Sequence, residues 1–188
     1  MMDGLVQVYT GDGKGKTTTA LGLGFRAAGH GLKVCMIQFL KGAHYLGELE
    51  SARKLKNFKI FQFGAPCPWS KDMEKGVIHC GSCRYCFTIH KEDIEKAKFG
   101  MEFAKDAVTS GDYGLVILDE INVAMDKKVV PIKDVLDLIK SKKKDVELVL
   151  TGRGAPKEII ESADLVTEMR EIKHPFRKGV EARVGIDF

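Results

Sequence analysis

The chain alternates between short apolar runs and longer segments in which apolar residues return every third or fourth position. Six runs read as strands: Leu5 to Tyr9, Lys33 to Leu40, Phe58 to Phe63, Gly114 to Leu118, Val146 to Leu150 and Leu165 to Met169. Lys33 to Leu40 is almost continuously apolar, as a strand covered on both faces should be, and Cys35 inside it reads as a small core residue. Helical periodicity fills the gaps. Helices are predicted from about Lys16 to Ala28, stopped by Gly29-His30-Gly31, from Gly47 to Leu55, from Lys91 to the Gly111-Asp112 turn, from Pro131 onward, and from Pro156 to about Ser162. In the Lys91 helix, Ile94, Ala97, Met101, Ala104 and Val108 make one inward stripe. Ile132, Val135, Leu136 and Ile139 do the same in the helix that Pro131 opens.

Strands alternating with helices predict an α/β fold: a mostly parallel sheet with helices on both faces and short right-handed crossovers. A chain of 188 residues is expected to make one domain, 1–188. Only Gly64 to His90 has no period. A structureless loop of that length is uncommon unless it is functional or stapled, so it reads as an insertion at about 64–90.

Chemistry concentrates where the apolar runs end. The run to Tyr9 leads into Thr10-Gly11-Asp12-Gly13-Lys14-Gly15-Lys16-Thr17-Thr18 and then a helix. Strand, glycine turn, Gly-Lys-Thr and helix together hold a polyphosphate. Glycines let successive backbone N–H groups turn inward as an anion nest, and the helix aims its free amides at the same place. Gly11, Asp12, Gly13, Lys14, Gly15, Lys16, Thr17 and Thr18 are therefore the predicted nucleotide-binding residues. Lys16 supplies a mobile ammonium and Thr17 a hydroxyl for a Mg²⁺ shell. Thr10 stands where the usual pattern has glycine. Leu115 to Leu118 closes on Asp119-Glu120, which beside a phosphate loop reads as the second nucleotide element. One carboxylate would join Thr17 around Mg²⁺ and the other would orient water or substrate. Lys41 and Arg153 also follow strand ends and are expected in the same crevice. For Arg153, phosphate binding and a structural ion pair are both open.

Composition narrows the partners. Thirty basic against 26 acidic residues, net +4, is too even to argue for nucleic acid. The basic residues are dispersed, with no aromatics alternating among them as a stacking platform. Lys140 to Lys144, rich in lysine, reads as a solvated helix end. No apolar stretch approaches the ~20 residues that span a bilayer. Met1-Met2-Asp3-Gly4 runs directly into a strand without a signal segment, so a cytoplasmic protein with no membrane partner is expected.

Cytosolic thiols stay reduced, which leaves Cys67, Cys80, Cys83 and Cys86 to be explained. Cysteines at two-residue gaps let several sulfurs converge, and Cys67 is followed by Pro68, as the remote ligand of iron–sulfur sites often is. A metal centre is expected, either a [4Fe–4S] cluster or Zn²⁺. With zinc, His79 or His90 could replace Cys67. Unligated thiols are the plain alternative.

TGDGKGKTTTALGLGFRAAGHG, VCMIQFLKG, LDEINVAM, TGRG and the tail KHPFRKGVEARVGIDF resemble the corrinoid adenosyltransferases of the phosphate-loop kind, ATP:cob(I)alamin adenosyltransferases. The resemblance runs from about residue 5 onward and is broken by the cysteine segment. It implies a phosphate-loop NTPase-like, RecA-like fold. The implied reaction transfers the 5′-deoxyadenosyl group of ATP to the Co(I) ion of a reduced corrinoid such as cobalamin and releases tripolyphosphate. Co(I) is the nucleophile, so the protein's work is positioning and charge neutralisation. Lys16, Thr17 and Mg²⁺ would grip the departing chain, Glu120 would serve the Mg²⁺-dependent step, and Trp69 would pack on the corrin and help expel its lower ligand. The family's second aromatic falls at Cys67, for which Phe61, Phe63 or Phe87 would have to substitute. Where the family usually reads Gly-Asn-Gly, this chain has Gly11-Asp12-Gly13, and the Asp12 carboxylate must face Lys14 or the metal to avoid the phosphates. A homodimer and an electron donor that reduces Co(II) are expected partners. The competing class is a phosphate-loop ATPase or ATP-binding switch whose cysteine segment serves another partner.

Overall fold

The computed structural model describes residues 3–43, 46–78 and 85–187. The strands are β1 (Val6–Thr10), β2 (Val34–Phe39), β3 (Phe58–Phe63), β4 (Leu115–Asp119), β5 (Glu147–Thr151) and β6 (Leu165–Glu168). The helices are α1 (Lys16–Gly29), α2 (Gly47–Arg53), α3 (Ser70–Glu74), α4 (Lys91–Ser110), α5 (Ile121–Asp126), α6 (Ile132–Ser141) and α7 (Lys157–Ser162). All strand pairings are parallel, in the order β3-β2-β4-β5-β1-β6.

Alternation along each strand divides the core between the two faces. Val6, Val8, Cys35, Ile37, Val116, Leu118, Leu148 and Leu150 face α4, α5, α6 and α7. Tyr9, Val34, Met36, Leu115, Ile117 and Val149 face α1 and the segment after α2. Helices thus lie on both faces, which is why β2, β4 and β5 are apolar almost throughout. Burial pushes the Cys35 thiol up to about 12, against a lesser lowering by Lys59 and by a hydrogen bond with Tyr113, as befits a core residue. Edge strand β6 is exposed along its whole length.

Several expectations are corrected locally. Ile94 is exposed, and the inward stripe of α4 is carried by Ala97, Gly100, Ala104, Ala107 and Val108. In α6 the fully inward residues are Val135 and Leu138, with Ile132, Leu136 and Ile139 half-buried around them. Helix α5 follows Asp119-Glu120 immediately. It is short enough that no apolar period announces it. Among its described residues the irregular stretch contains α3 and a 3-10 turn, Tyr85–Phe87. Among the described residues no helix is long and apolar enough to cross a membrane.

Candidate functional site

The strand order decides what meets at the carboxyl edge. β5 lies between the phosphate-loop strand β1 and the carboxylate strand β4. The residue that ends β5, Thr151, is therefore flanked by the loop on one side and by Asp119 on the other.

The phosphate loop has the expected form. Gly11 and Gly15 take φ of 94° and 113°, a region that suits glycine. Lys16 opens α1, is buried, and its Nζ donates to the carbonyl oxygens of Gly11 (2.7 Å) and Gly13 (2.6 Å). Burial lowers its pKa, and the nearby Arg153 charge lowers it further. Glu120, Asp12 and Asp119 pull the other way. Thr10, in the unusual position, accepts from the Ala155 N–H at 3.2 Å through its Oγ1. A side chain there ties the loop after β5 to the phosphate loop. Thr18 is exposed on the first turn of α1.

Asp119 is fully buried and surrounded by donors. Thr17 Oγ1 (2.8 Å) and Thr151 Oγ1 (2.7 Å) donate to its Oδ1, while Lys41 Nζ (2.8 Å) and Gln38 Nε2 (3.2 Å) donate to its Oδ2. Burial would raise its pKa, but the Lys41 charge and hydrogen bond, with those of Thr151 and Thr17, outweigh it and hold the carboxyl low. Lys41 is correspondingly raised: burial opposes its charge, and the Asp119 pair overcomes that. Glu120 behaves differently. Burial and the adjacent Asp119 raise it, against Lys41, Lys16 and Arg153. It sits at φ 60°, a left-handed turn unusual for a non-glycine residue, and its N–H donates to Thr151 Oγ1 at 3.1 Å. Such strain at the end of a buried strand is characteristic of functional turns.

The β2 and β3 loops are pressed together beside this cluster. A Cβ on Gly42 would lie 2.2 Å from the Ala65 carbonyl oxygen, so only glycine allows the crossing. The Cys67 N–H donates to Gly42 O at 3.2 Å, and the Ala65 N–H to Asp93 Oδ1 at 2.6 Å. These bonds bring the start of the cysteine segment beside Lys41. Trp69 follows at the head of α3, with 43% of its surface exposed. Phe61 and Phe63, both half-buried, pack on Phe103 of α4, with ring centroids 4.6 and 5.8 Å from it.

The structure therefore brings together Lys16, Thr17, Lys41, Asp119, Glu120 and Arg153. Asp12 is exposed and bears on Lys16, not Lys14, whose partner is Asp187. Cys80 and Cys83, with His79, lie outside the described residues. Cys67 is half-buried, Cys86 exposed, and His90 caps α4 with its ring stacked on Tyr85. Among the described residues no group of three or more His, Cys, Asp or Glu side chains is placed to hold a metal. Sequence reasoning missed Gln38, Thr151, Asn122 and Asp187. Gln38 had a signal, as the one uncharged polar residue in an apolar run. Asn122 is fully buried, gives its Nδ2 to Gly152 O at 3.2 Å, and leaves its Oδ1 without a hydrogen bond among the described residues.

Comparison with known proteins follows the same lines. A family model described as ATP:corrinoid adenosyltransferase BtuR/CobO/CobP matches residues 2–188. A corrinoid adenosyltransferase of Sinorhizobium sp is 37% identical over 186 residues, 98% of this chain and 80% of its own. One from Pseudomonas aeruginosa is 35% identical over 187 residues, 98% of this chain and 84% of its own. Among solved structures, the KaiC-like protein PH0186 of Pyrococcus horikoshii OT3 aligns with a TM-score of 0.52 at 16% identity, covering 91% of this chain and 75% of that one. That likeness speaks for the fold alone.

Proposed function

The chain belongs to the ATP:corrinoid adenosyltransferase family BtuR/CobO/CobP, enzymes that act on ATP and a corrinoid, and from that premise we propose how its own residues carry the reaction. The observation that carries the proposal is the chain of contacts Thr17–Asp119–Lys41 beside the loop that holds Lys16. The triphosphate of ATP lies along Gly11, Asp12, Gly13, Lys14, Gly15 and Thr18, and Lys16 draws its charge. Arg153 adds a second cation from the β5 loop, consistent with its effect on both Lys16 and Glu120.

The Co(I) of the corrinoid attacks C5′ of the ribose. The Co–C bond forms with the cobalt electron pair as the C5′–O bond breaks, and tripolyphosphate departs with that bond's electrons. Lys16, Lys41 and Arg153 stabilise the charge that gathers on the leaving chain. Trp69, half-exposed at the head of α3, packs on the corrin and keeps the lower ligand away.

Thr17, Asp119 and Glu120 would hold Mg²⁺. The donor set fits: it is all oxygen, and Mg²⁺ commonly takes only one or two carboxylates together with phosphates and water. Two adjacent acids, with Glu120 raised first by burial and then by Asp119, favour a cation at that edge. When bound, the ion would supply charge to the phosphates. Cys67, Cys80, Cys83 and Cys86 are assigned a structural Zn²⁺ or [4Fe–4S] centre. In support, the Cys67 and Cys86 thiols both act on Tyr85, whose pKa is raised first by desolvation, then by Glu92 and Asp93, and last by the two cysteines.

The test is anaerobic incubation with ATP, Mg²⁺ and cob(I)alamin, followed by identification of both products. Adenosylcobalamin with tripolyphosphate is expected. Orthophosphate from ATP without corrinoid would instead identify a phosphate-loop ATPase. Replacing Glu120 with Gln should shift the Mg²⁺ dependence of the rate to higher concentration, and an unchanged dependence removes Glu120 from that role.

A further inference from the structure

The segment after β6 returns to the phosphate loop at two points. At its root, the Gly13 N–H donates to the Met169 carbonyl at 2.7 Å. A Cβ on Gly11 would come within 2.5 Å of the same oxygen. Near its far end, Asp187 pairs with Lys14 of the loop. The other oxygen of that carboxylate accepts from Arg183 twice, from its backbone N–H at 2.9 Å and from Nε at 3.1 Å. Lys14 and Arg183 thus share one carboxylate. The Arg183 charge is close enough to lower the Lys14 pKa, second to the effect of burial. Asp187 has 13% of its side chain exposed, whereas Lys14 and Arg183 keep 52% and 57%, so both cations still reach solvent from either side of it.

This arrangement is odd if Lys14 simply binds phosphate. A carboxylate beside a triphosphate site costs affinity by repulsion. It makes sense if the carboxylate holds something in place. We propose that Asp187 is a latch that fastens the C-terminal strap to Lys14 and thereby presents Arg183 to the polyphosphate, making Arg183 a nucleotide-binding residue and Asp187 its positioning residue. The trio carries one net positive charge. Nε of Arg183 is committed to the latch, and its remaining guanidinium N–H groups supply the planar donor fork suited to phosphate oxygens. The inference rests on the reading that the phosphate loop holds the triphosphate of ATP.

Charge and positioning predict opposite signs for one substitution, which makes the test sharp. Asp187→Asn removes a negative charge near the phosphates. On charge alone it tightens binding of ATP and of free tripolyphosphate. If Asp187 is a latch, it weakens both by about tenfold, the size of one charge-assisted hydrogen bond. Arg183→Ala should weaken them similarly, and the Asp187→Asn/Arg183→Ala double variant should be little worse than either single one. Equilibrium binding of each ligand to the full-length protein, with and without Mg²⁺, reads this directly. Hydrogen exchange of residues 176–187 should lose protection in Asp187→Asn while that of β1 and β5 stays unchanged. Tighter binding in Asp187→Asn, or unchanged binding in Arg183→Ala, overturns the latch. Failure of the unaltered protein to bind ATP or tripolyphosphate would refute the underlying assignment of the loop instead.

Discussion

Replacing Lys41 with Met tests whether the buried Asp119 cluster is held by charge or by hydrogen bonds. Met keeps the apolar stem of lysine and removes only the ammonium. Asp119 has no exposed side-chain surface, while Lys41 keeps 25% of its own. Removing one partner of a buried pair costs about 3–5 kcal/mol, because the other charge is left uncompensated. Here Thr17, Thr151 and Gln38 still donate to Asp119, and the lysine end is partly solvated, so roughly 2–3 kcal/mol is expected. For a domain of this size that is a fall in Tm of about 5–10 °C. Asp119→Asn should cost less, about 1 kcal/mol, since the orphaned ammonium can turn to water while an orphaned carboxylate cannot. The Lys41→Met/Asp119→Asn double variant should recover most of the loss.

Urea unfolding in the presence of a chelator is the assay, and pH gives a second reading. Asp119 is held below 3.8 in the folded state, so its contribution is present above that value and is lost as pH falls through the depressed one. Lys41 is raised above 10.5, so its contribution is present below that value and is lost as pH rises through the raised one. The gap between the unaltered protein and Lys41→Met should therefore be widest from about pH 5 to 9 and should narrow toward pH 3. A loss below about 0.5 kcal/mol, or a gap independent of pH, would refute the electrostatic account.

Lys16→Ala should lower adenosyl transfer at least a hundredfold, the scale of losing a preorganised cation at a developing charge, and near-normal turnover at saturating ATP would remove it from the mechanism. Trp69→Ala should impair transfer to cobalamin more than to cobinamide, which has no lower base to displace; equal losses in the two assays would mean that the indole only packs the loop. Protein purified without oxygen should contain zinc or iron, and absence of both, with Cys67, Cys80, Cys83 and Cys86 all titratable as thiols, ends the metal assignment. Cys35 should stay unreactive to thiol reagents at pH 8 until the protein unfolds, because its pKa of about 12 leaves almost no thiolate; prompt labelling of the native core would contradict it.

What the sequence by itself determined is whatever depends on local spacing. Strands β1 to β6, helix α1, the glycine turn with Lys16 and Thr17, and the acidic end of β4 follow from period, turn chemistry and short motifs. These act over a few residues and are written out contiguously. Ile94 departs from the stripe because it is 43% exposed, while Ala97, one turn on, is fully buried. Helix α5 was invisible because six residues are too few to show a period.

Tertiary structure decided everything that joins distant segments. The order β3-β2-β4-β5-β1-β6 puts β5 between the phosphate loop and Asp119, and only that order makes Thr151 a partner of Asp119. Thr17 and Asp119 are 102 positions apart, and Lys41 and Asp119 are 78 apart. No local pattern relates them, because a hydrogen bond across a sheet depends on which strand lies next to which. Lys14 is the clearest case. Its motif marks it for phosphate, and the folded chain gives it Asp187, since the path of the segment after β6 is set by the edge to which that strand docks.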